Sequence, residues 1–329
     1  KENLERVLAG RTPDYLIVSH LEPDHAGSIK EFADKYPEAK IVASAKAIAM
    51  LSQFFEIADL ADRAVAVKEG EELSLGSHTL QFFMAPMVHW PEVMVEYEKS
   101  EKILFSADGF GKFGALDADE DWACEARRYY FNIVGKYGAQ VQALLKKAAT
   151  LDIQTICPLH GPILKENLGY YIGKYMTWSS YEPEDDGVLV AYASIHGNTK
   201  KAAEKMKEIL EAKGAKKVAI TDLSRDDMAE AIEDAFRYDK LVLAAASYDA
   251  SVFPCMETFL NKLTNKNYQN RKIAIIENGS WAPTAARVMK GYVEKMKKIT
   301  LCEKTVTIKS TMKDADATAM EELADELLA

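Results

Sequence analysis

Short apolar runs alternate with segments of helical period along the whole chain. The runs at 14–18, 80–85, 103–106 and 153–157 are too short for helices and read as buried strands, while 27–35, 45–54 and the long stretch 120–150 carry helical spacing. At 181–186 the pattern stops: Tyr-Glu-Pro-Glu-Asp-Asp is acidic, holds a proline and has no apolar period, which predicts a solvated linker. From 187 a regular alternation begins, with strands at 188–193, 218–221, 241–246, 273–276 and 305–308 separated by helical segments. Five strands joined by crossover helices predict a parallel, doubly wound sheet. The expected architecture is therefore α/β in two domains, 1–180 and 187–329. The chain shows no internal repeat and no low-complexity tract.

Composition narrows the class. With 329 residues the chain can bury two cores, and 48% hydrophobic with 28% charged residues is globular composition. A net charge of −10 argues against a nucleic-acid partner. The four cysteines, Cys124, Cys157, Cys255 and Cys302, form no Cys-x-x-Cys pair, so neither a rubredoxin module nor a zinc ribbon is encoded; they read as core thiols of a reducing compartment, the cytoplasm. No apolar run approaches the roughly 20 residues that span a bilayer.

The chemistry concentrates at the ends of the early strands. His20, Glu22, Asp24 and His25 fall within six residues just after the first strand, and His89, Asp108 and His160 each follow another. Taken singly, a histidine after a strand is usually a satisfied loop residue and an aspartate a turn or cap. Together the seven provide six nitrogen or oxygen ligands and one shared carboxylate, enough for two metal ions with open positions. Imidazole and carboxylate without thiolate suit iron, zinc or manganese. Binuclear zinc hydrolases carry a histidine where this chain has Glu22, and an anionic oxygen there tilts the choice towards iron. His78, in a Leu-Gly-Ser-His-Thr turn, is given no role.

The run His-x-Glu-x-Asp-His, followed by His89-Trp-Pro, Asp108-Gly and His160-Gly-Pro, resembles the metallo-β-lactamase-like αββα domain of the flavodiiron proteins. The resemblance implies that His20, Glu22 and His89 hold one iron, that Asp24, His25 and His160 hold the other, and that Asp108 bridges them. Family members carry further strands ahead of the motif. Since this chain starts at Lys1, we expect it to lack that N-terminal part, together with any targeting signal.

A second constellation follows the first strand of the doubly wound half. Ser194-Ile195-His196-Gly197-Asn198-Thr199 joins that strand to a helix, and its hydroxyls and amides suit an anion at a helix N-terminus. The loop lacks both the Gly-x-Gly-x-x-Gly of dinucleotide sites and the Gly-Lys-Ser/Thr of a P-loop, which argues against NAD and ATP. It resembles the flavodoxin loop that holds the FMN phosphate, in a sheet of order 2-1-3-4-5. That resemblance places two ring-binding loops at Ala245-Ala246-Ser247-Tyr248-Asp249 and Asn278-Gly279-Ser280-Trp281-Ala282. Tyr248 and Trp281 are the candidates to lie on the isoalloxazine, with ordinary packing as the alternative. His196 is a candidate to tune the flavin by its charge. Ala245 and Ala246 stand where Ser and Pro are usual.

The flavodiiron resemblance implies an oxidoreductase that reduces dioxygen to water or nitric oxide to nitrous oxide, drawing electrons through FMN from rubredoxin or a similar small carrier. It also implies a head-to-tail homodimer or homotetramer, in which the flavin of one subunit serves the iron pair of another. Two readings of other classes stay open from the residues: a binuclear zinc hydrolase with a flavodoxin-like electron-transfer tail, and a non-catalytic redox or signalling protein.

Overall fold

A computed structural model describes residues 2–329, which form two compact units: 2–119 with 139–175, and 120–138 with 176–329.

The first unit is built on two sheets. Tyr15–Val18, Lys40–Ser44 and Ala64–Val67 make a parallel three-stranded sheet in chain order. Glu72–Ser74, Thr79–Met84, Met94–Glu98, Ile103–Phe105 and Thr155–Cys157 make a second sheet, antiparallel except for its last pair. The sheets face each other through Val42 and Val67 on one side and Leu80, Phe82 and Met94 on the other. Helices Ile29–Lys35 and Ala45–Phe54 cover the outer face of the first sheet through Ile29, Ala33, Ala47 and Leu51. Val141 and Leu145, on the helix running to Ala148, are buried over the second sheet. The four layers are those of the expected αββα domain.

The second unit has strand order 2-1-3-4-5: Val218–Asp222, Asp185–Ala193, Tyr238–Tyr248, Gln269–Asn278 and Lys297–Ile308, all parallel. Alternate residues of each strand point to opposite faces. Val188, Val190, Val242 and Ile276 therefore meet Met206 and Leu210 of helix Asn198–Ala212, and Leu323 and Leu327 of helix Asp314–Leu328, on one side. Both faces of the sheet are buried, which is why its strands read as unbroken apolar runs.

Two expectations fail. The stretch 120–150 is not one helix: α-helix Trp122–Tyr129 passes into a π-turn at Tyr130–Val134 and a 3-10 turn at Gly135–Tyr137 before helix resumes at Gly138. The Tyr181 hydroxyl explains the break, since it donates to Gly135 O at 3.0 Å and accepts from Gly138 N–H at 3.2 Å, taking the place of ladder hydrogen bonds. Gly138 allows the approach, because a Cβ there would stand 2.8 Å from Tyr181 Cε2. The same residue corrects the linker at 181–186. Tyr181 is buried, Arg271 donates to its carbonyl at 2.7 Å, and Asp185 and Asp186 already belong to a strand. The acidic residues there are matched by Lys216, Lys217, Arg237 and Lys240 rather than by water alone.

Candidate metal centre and cofactor cleft

All seven residues expected as metal ligands meet at one end of the two-sheet unit. His20 follows strand Tyr15–Val18, and the one-turn helix Pro23–Ala26, started by proline, carries Asp24 and His25. His89 lies in the loop after Thr79–Met84. Asp108 follows Ile103–Phe105, and His160 follows Thr155–Cys157. The last two loops are tied by Leu159 N–H donating to Ala107 O at 2.8 Å. The Asp108 loop is also fixed from behind, where Ser106 Oγ donates to Gly109 O at 2.7 Å and Phe110 N–H donates to the buried Tyr175 hydroxyl at 2.7 Å.

Asp108 divides the cluster. Its Oδ2 lies 3.4 Å from His20 Nε2 and 3.1 Å from His89 Nε2, and Glu22 Oε2 lies 3.2 Å and 3.0 Å from the same two nitrogens. Its Oδ1 lies 3.1 Å from His25 Nε2 and 3.9 Å from His160 Nε2, while Asp24 Oδ2 lies 3.4 Å and 3.2 Å from those. The donor atoms therefore form two groups, His20, Glu22, His89 and Asp108, and Asp24, His25 and His160, with one carboxylate facing both. Ligands held at roughly 2.0–2.2 Å from a common ion stand about 3 Å apart when at right angles. The spacings fit that geometry, and the donor set fits a pair of hard to intermediate cations.

Electrostatics agree. Burial would raise the Asp108 carboxyl, but hydrogen bonds with His25 and His89 and the nearby His20 hold it well below the usual carboxylate range. Burial would lower His20, yet the Glu92 carboxylate, Asp108 and Glu22 outweigh it and raise the imidazole. His25 is raised chiefly by its hydrogen bond to Asp108, against its own burial. Charge in the cluster is thus mutually dependent, as in a site assembled to surround cations.

Glu92 was not singled out in the sequence. It lies buried beneath the cluster, its Oε1 3.0 Å from His20 Nδ1 and accepting Leu21 N–H at 3.0 Å. Its backbone is held by Ser44 Oγ, which donates to Glu92 O at 2.7 Å. A carboxylate on Nδ1 fixes the tautomer that leaves Nε2 as a lone-pair donor. The available signal was the glutamate three residues after His89, one step past the His-Trp-Pro segment. His78 pairs with Glu98 at 3.2 Å in its hairpin, far from this chemistry in role.

In the second unit a cleft of about 540 Å³ opens at the carboxyl ends of the strands, within the roughly 300–1,000 Å³ usual for cofactor sites. Expected residues 194–196, 198 and 199 line it, as do 246–249 and 278–282. In the loop beside it Gly197 takes φ +86, a left-handed value that suits glycine, and its N–H donates to Ser194 Oγ at 3.1 Å before helix Asn198–Ala212 begins. The first-turn amides of that helix are an anion seat. Gly279 is required for a different reason: a Cβ there would meet Pro283 Cα at 2.8 Å.

Some expected contacts need correction. Ala245 is fully buried in the sheet and does not line the cleft, and Gly197 shapes the loop without lining it. The Asn278 side chain is engaged in a reciprocal pair with the Ser310 backbone, Nδ2 to O at 2.8 Å and N–H to Oδ1 at 3.1 Å. Trp281 is 92% exposed at the rim, whereas Tyr248 is 44% exposed on the two-residue hairpin whose turn, Asp249-Ala250, has positive φ at both positions. Ala250, Thr284 and Ser310 line the cleft unanticipated; Ser310 reaches it from beyond the last strand, where its Oγ meets Ser280 Oγ at 2.7 Å.

Fold and sites together define a metallo-β-lactamase-like domain joined to a flavodoxin-like domain. Comparison with known proteins agrees: a family model described as ODP family beta lactamase matches residues 1–161, and a flavodoxin domain model matches 189–317. An uncharacterized protein of Methanocaldococcus jannaschii is 35% identical over 222 residues, covering 64% of this chain and 56% of its own. The nitric oxide reductase of Moorella thermoacetica is 26% identical over 325 residues, covering 96% and 80%. The chain thus spans little more than half the length of the first of these relatives. Among solved structures, the rubredoxin oxygen:oxidoreductase of Desulfovibrio gigas superposes with a TM-score of 0.89 at 24% identity, covering 98% of this chain and 82% of its own, a likeness of fold. The front half of the chain thus matches the ODP beta-lactamase family and the back half a flavodoxin domain.

Proposed function

We propose that this protein is a flavodiiron oxidoreductase that reduces dioxygen to water, nitric oxide to nitrous oxide, or both. In this reading FMN occupies the cleft of the second unit and two non-haem irons occupy the seven-residue cluster. One iron falls to His20, Glu22 and His89, the other to Asp24, His25 and His160, with Asp108 shared. The observation that carries the reading is the division of Asp108, whose two oxygens face two separate ligand groups. When bound, the iron pair and the flavin supply the electrons: four with four protons for dioxygen, or two with two protons for each pair of nitric oxide molecules.

The chain's own residues do the positioning. Glu92 orients His20, the Ser106–Phe110 loop holds Asp108 in place, and the three anionic groups Glu22, Asp24 and Asp108 offset the charge of two cations. Glu22, within 3.2 Å of both His20 and His89 nitrogens, favours iron over the all-imidazole site of a zinc hydrolase. In the second unit the Ser194–Thr199 loop would take the FMN phosphate and the 246–249 and 278–282 segments the ring. A rubredoxin-like carrier is the proposed donor, a head-to-tail homodimer or homotetramer the proposed assembly, and the cytoplasm the proposed compartment. No described helix is long and apolar enough to cross a membrane.

The test is anaerobic reduction of the iron- and FMN-loaded protein followed by separate exposure to each gas. Flavin reoxidation with uptake of oxygen or release of nitrous oxide is expected. Protein that binds zinc in preference to iron and hydrolyses a thioester or lactam would replace this reading with the hydrolase.

A further inference from the structure

Behind the Asp108 loop lies a small second cavity, of about 20 Å³, walled by Phe83, Val88, Val95, Leu104, Val141 and Leu145. None of the seven cluster residues lines it, yet it reaches their immediate chain neighbours: Val88 precedes His89, and Ser106, Gly109 and Phe110 flank Asp108. Leu144, Ala148 and Leu151, which are only half-buried, also line it.

The space is large enough for one small molecule, since roughly 10–15 Å³ by this measure admits a single water. Water is a poor tenant, because it needs two to four polar partners and the polar side chains here are already engaged. Ser106 Oγ donates to Gly109 O, the Tyr175 hydroxyl accepts Phe110 N–H, and Lys147 Nζ reaches Glu69 at 2.8 Å and Met84 O at 2.9 Å. A dry apolar void of this kind binds apolar molecules such as xenon. A charged or strongly hydrogen-bonding substrate would lose its hydration there without replacement.

We propose that this cavity is a docking site for a neutral diatomic gas, which it concentrates beside the Asp108 loop. The inference rests on the proposed function for its choice of ligand: dioxygen and nitric oxide are small, neutral and weakly hydrated, and the cavity's size and lining select for those properties. The wall towards the cluster is the 106–110 turn, whose tight closure depends on Gly109, where a Cβ would stand 2.9 Å from Ser106 O.

Crystals of the protein pressurised with xenon test the site without any turnover, and a xenon atom among Val95, Leu104 and Val141 is expected. Two cavity-filling variants, Val141→Phe and the milder Val95→Leu, should exclude xenon while retaining iron and FMN. They should also slow the bimolecular reaction of the reduced protein with either gas, by about tenfold for the larger side chain. Absence of xenon from the cavity, or unchanged gas rates in filled variants that keep their metal, overturns the proposal. Wild-type protein that consumed neither gas would overturn the proposed function instead, and xenon occupancy would still decide the cavity.

Discussion

His20 and Glu92, both buried and 72 positions apart in the chain, meet at 3.0 Å between Nδ1 and Oε1. The contact reaches the candidate metal centre from below, and it sets which nitrogen of His20 faces the cluster. Burial alone would raise the Glu92 carboxyl, but the His20 ring and two backbone amides pull it below its ordinary value, so the acceptor stays ionised. Glu92→Gln keeps the shape and removes the charge. Iron retention should fall on the order of 10- to 100-fold, the usual effect of losing a ligand's outer partner. Equilibrium dialysis against a chelator measures it, and wild-type retention would remove Glu92 from the site.

Asp108→Asn replaces an oxygen facing one ligand group with an amide that cannot bridge two cations. The variant is expected to lose paired iron and gas consumption while FMN absorbance stays unchanged, because the cofactor cleft is built entirely from the second unit. Metal analysis and the flavin spectrum of one preparation give both readings. Wild-type turnover would defeat the bridging role.

Glu96 offers a pH test at a carboxyl that is not among the candidate metal ligands, read as the difference between the wild-type protein and a Glu96 variant. Burial lifts its carboxyl from 4.5 up to about 8, only partly offset by hydrogen bonds from Ser19 Oγ and its own backbone. The folded protein therefore keeps a proton at neutrality that the unfolded chain has released. That contribution to stability is fully present below pH 4.5 and is lost as the pH rises through about 8. Urea midpoints of the metal-free protein should decline between pH 5 and pH 8.5. Glu96→Gln should flatten the slope by at most ~1.4 kcal/mol per pH unit. Parallel slopes in the two proteins would show that Glu96 is ionised when folded.

Tyr181→Phe deletes the hydroxyl that joins Gly135 O to Gly138 N–H. Two buried backbone groups then lose their partner, at a cost of about 1–3 kcal/mol. The loss should appear in chemical denaturation of the protein, with the candidate metal centre unaffected. Unchanged stability would mean that another group satisfies the break.

The 45–54 helix is legible to the residue because Ser44 caps it, accepting Ala47 N–H at 3.1 Å, and its apolar spacing runs unbroken. The five strands of the second unit are legible because both faces are buried; most of their observed ends extend beyond the predicted ones through polar residues, but the last strand begins eight residues early, through Ile299, Leu301 and Cys302, whose apolar positions are interrupted by polar ones. Glu92 and Tyr181 are the opposite case. Glu92 is marked only by its place just past His89-Trp-Pro, which does not name His20 as its partner, and Tyr181 sits in an acidic stretch that looks like linker. In both, the decisive group comes from distant sequence and is recognisable only by what it touches.

The chain by itself marked the five strands of the second unit and seven candidate donor side chains, because periodicity and residue type are local properties; it did not mark the strands at 40–44, 64–67, 72–74 and 94–98 of the first unit. Only the tertiary structure decided that Asp108 turns one oxygen to each candidate ligand group, that Glu92 stands behind His20, that Ala245 faces the core and Ser310 the cleft, and that a small, largely apolar cavity lies beside Val88. Those facts depend on which loops converge and how closely side chains pack, and packing joins residues whose separation along the chain carries no information about their separation in space.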